Sequence, residues 1–142
     1  MVEKNHEYGV IMEDNIYFTG PIEKTVEKYI EQLNTMYCDW DILFDSNWIR
    51  VNDNGENNMV EENILVYPKS NNPTNNYGGG SRLAQFYIVT NKCAKTLFEN
   101  YIPFKNNPDH WMNELFRKLD IQCFWSEPSI THTFPHISTT QN

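Results

Sequence analysis

Apolar positions along this chain fall into two rhythms, and their alternation predicts the elements. Tyr8 to Met12 is a near-continuous apolar run, which reads as a short buried strand in a sheet covered on both faces. Gly20-Pro21 then opens a helix with Pro21 in its first turn. Ile22, Val26, Tyr29, Ile30 and Leu33 recur at spacings of three and four. One stripe therefore faces the sheet, while Glu23, Lys24, Glu27, Lys28 and Glu31 face water. Trp40 to Phe44 returns to strand character. Strand, helix and strand in this order form the unit that builds parallel sheets.

Further along, polar residues fill positions 46 to 63, with Asn52-Asp53-Asn54-Gly55 as a turn signal. Ile64 to Tyr67 reads as a brief strand, and residues 68 to 82 as a loop rich in Pro, Asn and Gly. Leu83 to Val89 is the next strand, with Thr90 as the cap of a helix that carries Cys93, Ala94, Leu97, Phe98 and Tyr101 on one side. Asn107-Pro108 starts another helix, whose apolar face is Trp111, Met112, Leu115, Phe116 and Leu119. Gln122 to Trp125 is the last expected strand. Residues 127 to 142 lose periodicity and read as an irregular tail across the surface.

Composition narrows the class. At 142 residues the chain suits one domain, and its 14% aromatic content can supply a core. A net charge of -8 argues against nucleic acid as partner, because phosphate backbones reward clustered Lys and Arg. Cys38, Cys93 and Cys123 are odd in number and lack the close pairing of a zinc or redox motif, so they read as buried thiols of a reducing compartment. No apolar run is long enough to cross a membrane, and the first residues are too polar for a signal peptide; a cytoplasmic location follows as the expectation.

Chemistry concentrates where the first strand ends. Glu13, Asp14 and Asn15 place oxygen donors at a strand terminus, the kind of ligand a hard divalent cation requires. The order "VIMEDNIYF", amphipathic helix, "CDWDILF" resembles the middle of a family 25 glycosyltransferase, the lipooligosaccharide and collagen galactosyltransferase-like group. "AQFYIVTNKCAKTLFENYI" and "PDHW" resemble two later segments of the same family. The family's acid motif reads Glu-Asp-Asp, whereas this chain has Asn15 at the third position, which removes one negative charge.

The resemblance implies an α/β fold, a mixed sheet flanked by helices of the nucleotide-diphospho-sugar transferase type, lacking its N-terminal part. It implies transfer of a hexose from a UDP-sugar to a hydroxyl of a glycan or hydroxylated side chain, with Mn or Mg held by Glu13, Asp14, Asn15 and a C-terminal histidine, His132 or His136. Asp109, at the start of its helix, would serve as the general base. Gly79 and Gly80 offer backbone amides to a substrate and Arg82 offers a phosphate partner. Tyr87 and its segment are expected to be architectural, with sugar stacking as the alternative role of Tyr87. Asp39 and Asp41 are expected to be structural, with Trp40 and Phe44 in the core. Because the family's nucleotide-binding half precedes the matched part, an exposed sheet edge is also expected. A complete minimal transferase, an inactive paralogue acting as a carbohydrate-binding or interaction module, and a half completed by a second copy or another chain all remain open.

Overall fold

The computed structural model of the chain describes residues 6–46, 61–69, 84–103 and 105–134. Ten elements occur among them: strands β1 (Tyr8–Met12), β2 (Ile16–Phe18), β3 (Ile42–Phe44), β4 (Val66–Lys69), β5 (Phe86–Thr90), β6 (Cys123–Ser126) and β7 (Thr131–Thr133), and helices α1 (Ile22–Met36), α2 (Asn91–Asn100) and α3 (Pro108–Lys118). Five strands form a mixed sheet in the order β1-β5-β3-β6-β4, and β2 pairs with β7 in a separate ribbon. The protein is therefore α/β, with helices on a mixed sheet.

Strand alternation assigns the two layers. Ile42, Phe44, Val89, Cys123 and Trp125 point to one face, where Met112 and Phe116 of α3 and Cys93 of α2 meet them. Leu43, Phe86, Ile88 and Phe124 point to the other, against Tyr29 and Leu33 of α1 and Phe18 of the ribbon. The α1 stripe read from the sequence is thus the stripe that packs. The α3 stripe behaves alike, and Trp111, Met112, Leu115 and Phe116 are all buried. Thr90 caps α2 as expected, its hydroxyl accepting the Cys93 N–H. α3 ends where Asp120 takes a left-handed φ of 52° and Ile121 N–H donates to the Phe116 carbonyl.

Five expectations are corrected. The first strand is not a covered central strand: β1 lies at an edge, antiparallel to β5, and Val10, Ile11 and Met12 are exposed. It does run parallel to β3, but β5 lies between them, antiparallel to both. The residues after Pro128 are not simply a tail, because Thr131–Thr133 forms β7 and Thr131 is fully buried. Phe98 does not join the α2 stripe and is 81% exposed. Of the three thiols Cys38 is exposed, while burial pushes Cys93 up to about 12 and Cys123 well above the ordinary range. The brief strand near residue 64 forms two residues later, as β4. The turn expected at 52 to 55 lies outside the described residues.

One buried carboxylate ties these parts together. Asp45, directly after β3, is fully buried, and its Oδ1 accepts hydrogen bonds from Ser129 Oγ at 2.6 Å and Thr131 N–H at 2.8 Å. Its Oδ2 accepts from Tyr29 OH at 2.8 Å, Ser126 Oγ at 2.7 Å and Ile130 N–H at 3.3 Å. Burial alone would raise this carboxyl's pKa; the hydrogen bonds from Ser129, Thr131, Ser126 and Tyr29 outweigh it and hold the group below its ordinary value. A folded value below the unfolded one stabilises the protein above about pH 4, and the contribution is lost as pH falls through the folded value. Asp45→Asn should therefore cost about 2–4 kcal/mol at pH 7, because its amide nitrogen cannot accept these bonds. Urea unfolding at pH 7 and at steps from pH 5 to 3 checks this. The gap between variant and native protein should narrow on acidification.

Candidate functional site

The turn between β1 and β2 carries the predicted acid group. Glu13 N–H donates to the Gln85 carbonyl, which extends the β1–β5 ladder by one residue and leaves the side chains of Glu13 and Asp14 exposed. Asn15 differs: its carbonyl accepts Phe134 N–H at 3.1 Å, and its Oδ1 is buried without a hydrogen-bond partner. The turn is thereby fastened to the far end of the chain. In the ribbon, Ile16 stands opposite Thr133, Tyr17 opposite His132, and Phe18 opposite Thr131.

This register brings two widely separated parts of the sequence together. Tyr17 and His132 stack with ring centres 5.5 Å apart and planes within 24°, and Phe134 packs on the same tyrosine at 5.1 Å. Tyr17 and Phe134 are 40% and 55% exposed, so the outer face of the ribbon is an aromatic platform open to solvent. The inner face is core, where Phe18 meets Phe86 edge-on at 5.5 Å. Alternation along β2 and β7 produces this division, and Glu13 and Asp14 lie just before β2 in the chain.

The predicted residues separate into three groups. Glu13, Asp14, Asn15 and His132 lie at or near the ribbon, but they do not share one environment. Among the described residues no three His, Cys, Asp or Glu side chains come together in a way that would hold a metal. Two exposed carboxylates, an inward-turned amide oxygen and an imidazole engaged with an aromatic ring do not fit a preassembled Mn or Mg site. Asp109 is half-buried in the first turn of α3, on the sheet face opposite the ribbon, where its charge helps raise the pKa of Tyr101 after burial. The sheet thus lies between the expected base and the expected histidine ligand. Gly79, Gly80, Arg82 and His136 lie outside the described residues.

Other candidates have structural roles. Tyr87 packs its ring against Phe44 at 5.4 Å rather than standing clear of the protein. Asp41 is buried, its Oδ2 accepting Gln122 N–H at 2.9 Å and its Oδ1 lying 3.9 Å from Lys92 Nζ, while Asp39 is exposed. Trp40 and Phe44 are core, as expected. Tyr17 and Phe134 are the residues that reading the sequence missed. Their signal was faint: an aromatic between two inward-facing apolar residues in "IYF", and a second in "THTF" whose strand was not anticipated.

A shallow depression of about 520 Å³ lies at the other end of β1, lined by His6, Tyr8, Cys38, Asp39, Trp40 and Lys92 among others. Tyr8 stacks on Trp40 at 5.4 Å to form its floor, and Asn34 accepts from the indole N–H. No model of a known protein family matches this chain, and no curated protein matches it. The thiols give a direct check of the layering: a water-soluble alkylating reagent should modify Cys38 in the folded protein and all three cysteines in 6 M guanidinium, as read by intact mass.

Proposed function

We propose that this chain is a glycan-binding module of glycosyltransferase-like descent, holding a sugar ring on the Tyr17–His132–Phe134 face of the ribbon. The observation that carries the reading is that exposed, mutually packed aromatic platform, with the carboxylates of Glu13 and Asp14 adjoining it in sequence. A pyranose has apolar C–H faces that stack on aromatic rings and equatorial hydroxyls that donate to carboxylates. Both kinds of partner are therefore carried by residues neighbouring in the chain, with the rings packed on each other and on the paired ribbon. Such pre-ordering keeps the entropy cost of binding small.

The second reading is the transfer reaction, in which a hexose passes from a UDP-sugar to an acceptor hydroxyl with Asp109 as base. It is supported by the resemblance of "VIMEDNIYF", "CDWDILF" and "PDHW" to family 25 glycosyltransferases, from which the finer assignment of a nucleotide-diphospho-sugar transferase fold also comes. The positions of Asp109 and His132 on opposite faces of the sheet favour binding over self-contained catalysis. Likewise, the exposed Glu13 and Asp14 carry hydrogen-bonding capacity without an assembled donor set.

Saturation-transfer NMR with galactose- and glucose-terminated oligosaccharides, without nucleotide or metal, tests the proposal. Binding is expected, and Tyr17→Ala should weaken it roughly tenfold, equivalent to about 1.4 kcal/mol of lost stacking, with the circular dichroism unchanged. Absence of glycan binding together with manganese-dependent UDP binding by calorimetry would overturn it in favour of transfer.

A further inference from the structure

The two edges of the main sheet are built differently. β4 carries Pro68 and Lys69, residue types that discourage further strand pairing. β1 is Tyr-Gly-Val-Ile-Met, with neither a charge nor a proline, and Val10, Ile11 and Met12 are 43%, 38% and 51% exposed. A sheet edge whose last three residues are exposed and apolar, and whose outer side pairs with no described strand, is unusual unless something pairs with it.

The register states which backbone groups are on offer. Asn91 N–H donates to the Glu7 carbonyl and Glu13 N–H to the Gln85 carbonyl, so the odd-numbered residues of β1 direct their backbone groups toward β5. Tyr8, Val10 and Met12 consequently turn theirs outward, and among the described residues no strand pairs with that side. Their spacing is the one that an incoming antiparallel strand matches.

Charge selects the occupant. Glu7 and Glu13 bracket the apolar run, Asp14 follows, and the chain carries a net charge of -8. A second copy paired about Val10 would place Glu7 of each chain opposite Glu13 of the other, and like charges directly opposed across strands destabilise the pair. We infer that the outer edge of β1 takes an extended segment of a partner protein by strand addition, with apolar residues opposite Tyr8, Val10 and Met12 and Lys or Arg at two positions six residues apart, opposite Glu7 and Glu13. The main chain supplies the binding and the two cations supply the register.

Fluorescence anisotropy with a labelled peptide of core Lys-Val-Thr-Val-Thr-Val-Lys tests this against the full chain. Saturable binding is expected, weakened at least tenfold when both lysines become glutamate and at least tenfold by Val10→Pro, which removes an outward N–H without touching the bonds to β5. A peptide N-methylated at alternate residues on its pairing edge should fail to bind native protein, which keeps the test decisive if Val10→Pro does not fold. No binding of the parent peptide, equal binding of the N-methylated peptide, or a dimer in sedimentation that Val10→Pro dissolves would each overturn the assignment. Glycan binding at Tyr17 is read separately and is indifferent to these outcomes.

Discussion

The demand that the Asp45 carboxylate be fully satisfied organises this molecule. A buried charge is tolerated only when its lone pairs are filled, and here five donors from four parts of the chain fill them: α1 through Tyr29, β6 through Ser126, the connection through Ser129 and Ile130, and β7 through Thr131. Carboxyl ends of neighbouring parallel strands are where α/β proteins commonly receive ligands. β3 and β6 are the parallel pair of this sheet, and Asp45 and Ser126 sit side by side at that end. The segment from 127 to 131 closes over that end through the bonds of Ser129, Ile130 and Thr131 to Asp45. The same carboxylate thereby fixes the start of β7, and with it the position of the ribbon.

Local periodicity made much of the fold legible. The stripes of α1 and α3, the cap at Thr90, the burial of Trp40 and the α/β class all follow from spacing that a helix or strand imposes on its own residues. Long-range choices were less visible. Nothing in Tyr8–Met12 distinguishes a covered strand from an uncovered edge, because composition is the same and only the partner differs. β7 is three residues of Thr, His and Thr, with no apolar signal; it exists because β2 pairs with it and Asp45 receives its first N–H.

The candidate site divides in the same way. Donor-bearing residues could be named from the sequence at Glu13, Asp14, Asn15 and His132, and the fold does gather the turn and the histidine into one ribbon. The platform itself depends on the 16–133 register, which brings residues more than a hundred positions apart face to face. Asp45 escaped notice beside Asp39 and Asp41 because its importance lies in Ser126, Ser129 and Thr131, whose hydroxyls and amides look like ordinary loop residues until the chain returns.

The position of β1 has a consequence for how the chain assembles. This strand enters the sheet only through β5, whose residues are some eighty positions away in sequence, and the loop-closure entropy must be spent before any of its bonds form. Its withdrawal sacrifices one ladder and little buried apolar surface, while the network around Asp45 stays intact. β1 is thus held in the sheet by one ladder alone, the arrangement from which local opening starts. Amide exchange at Gly9 and Ile11 will outpace that at Leu43 and Ile88, and whatever pairs with the outer edge of β1 will slow it.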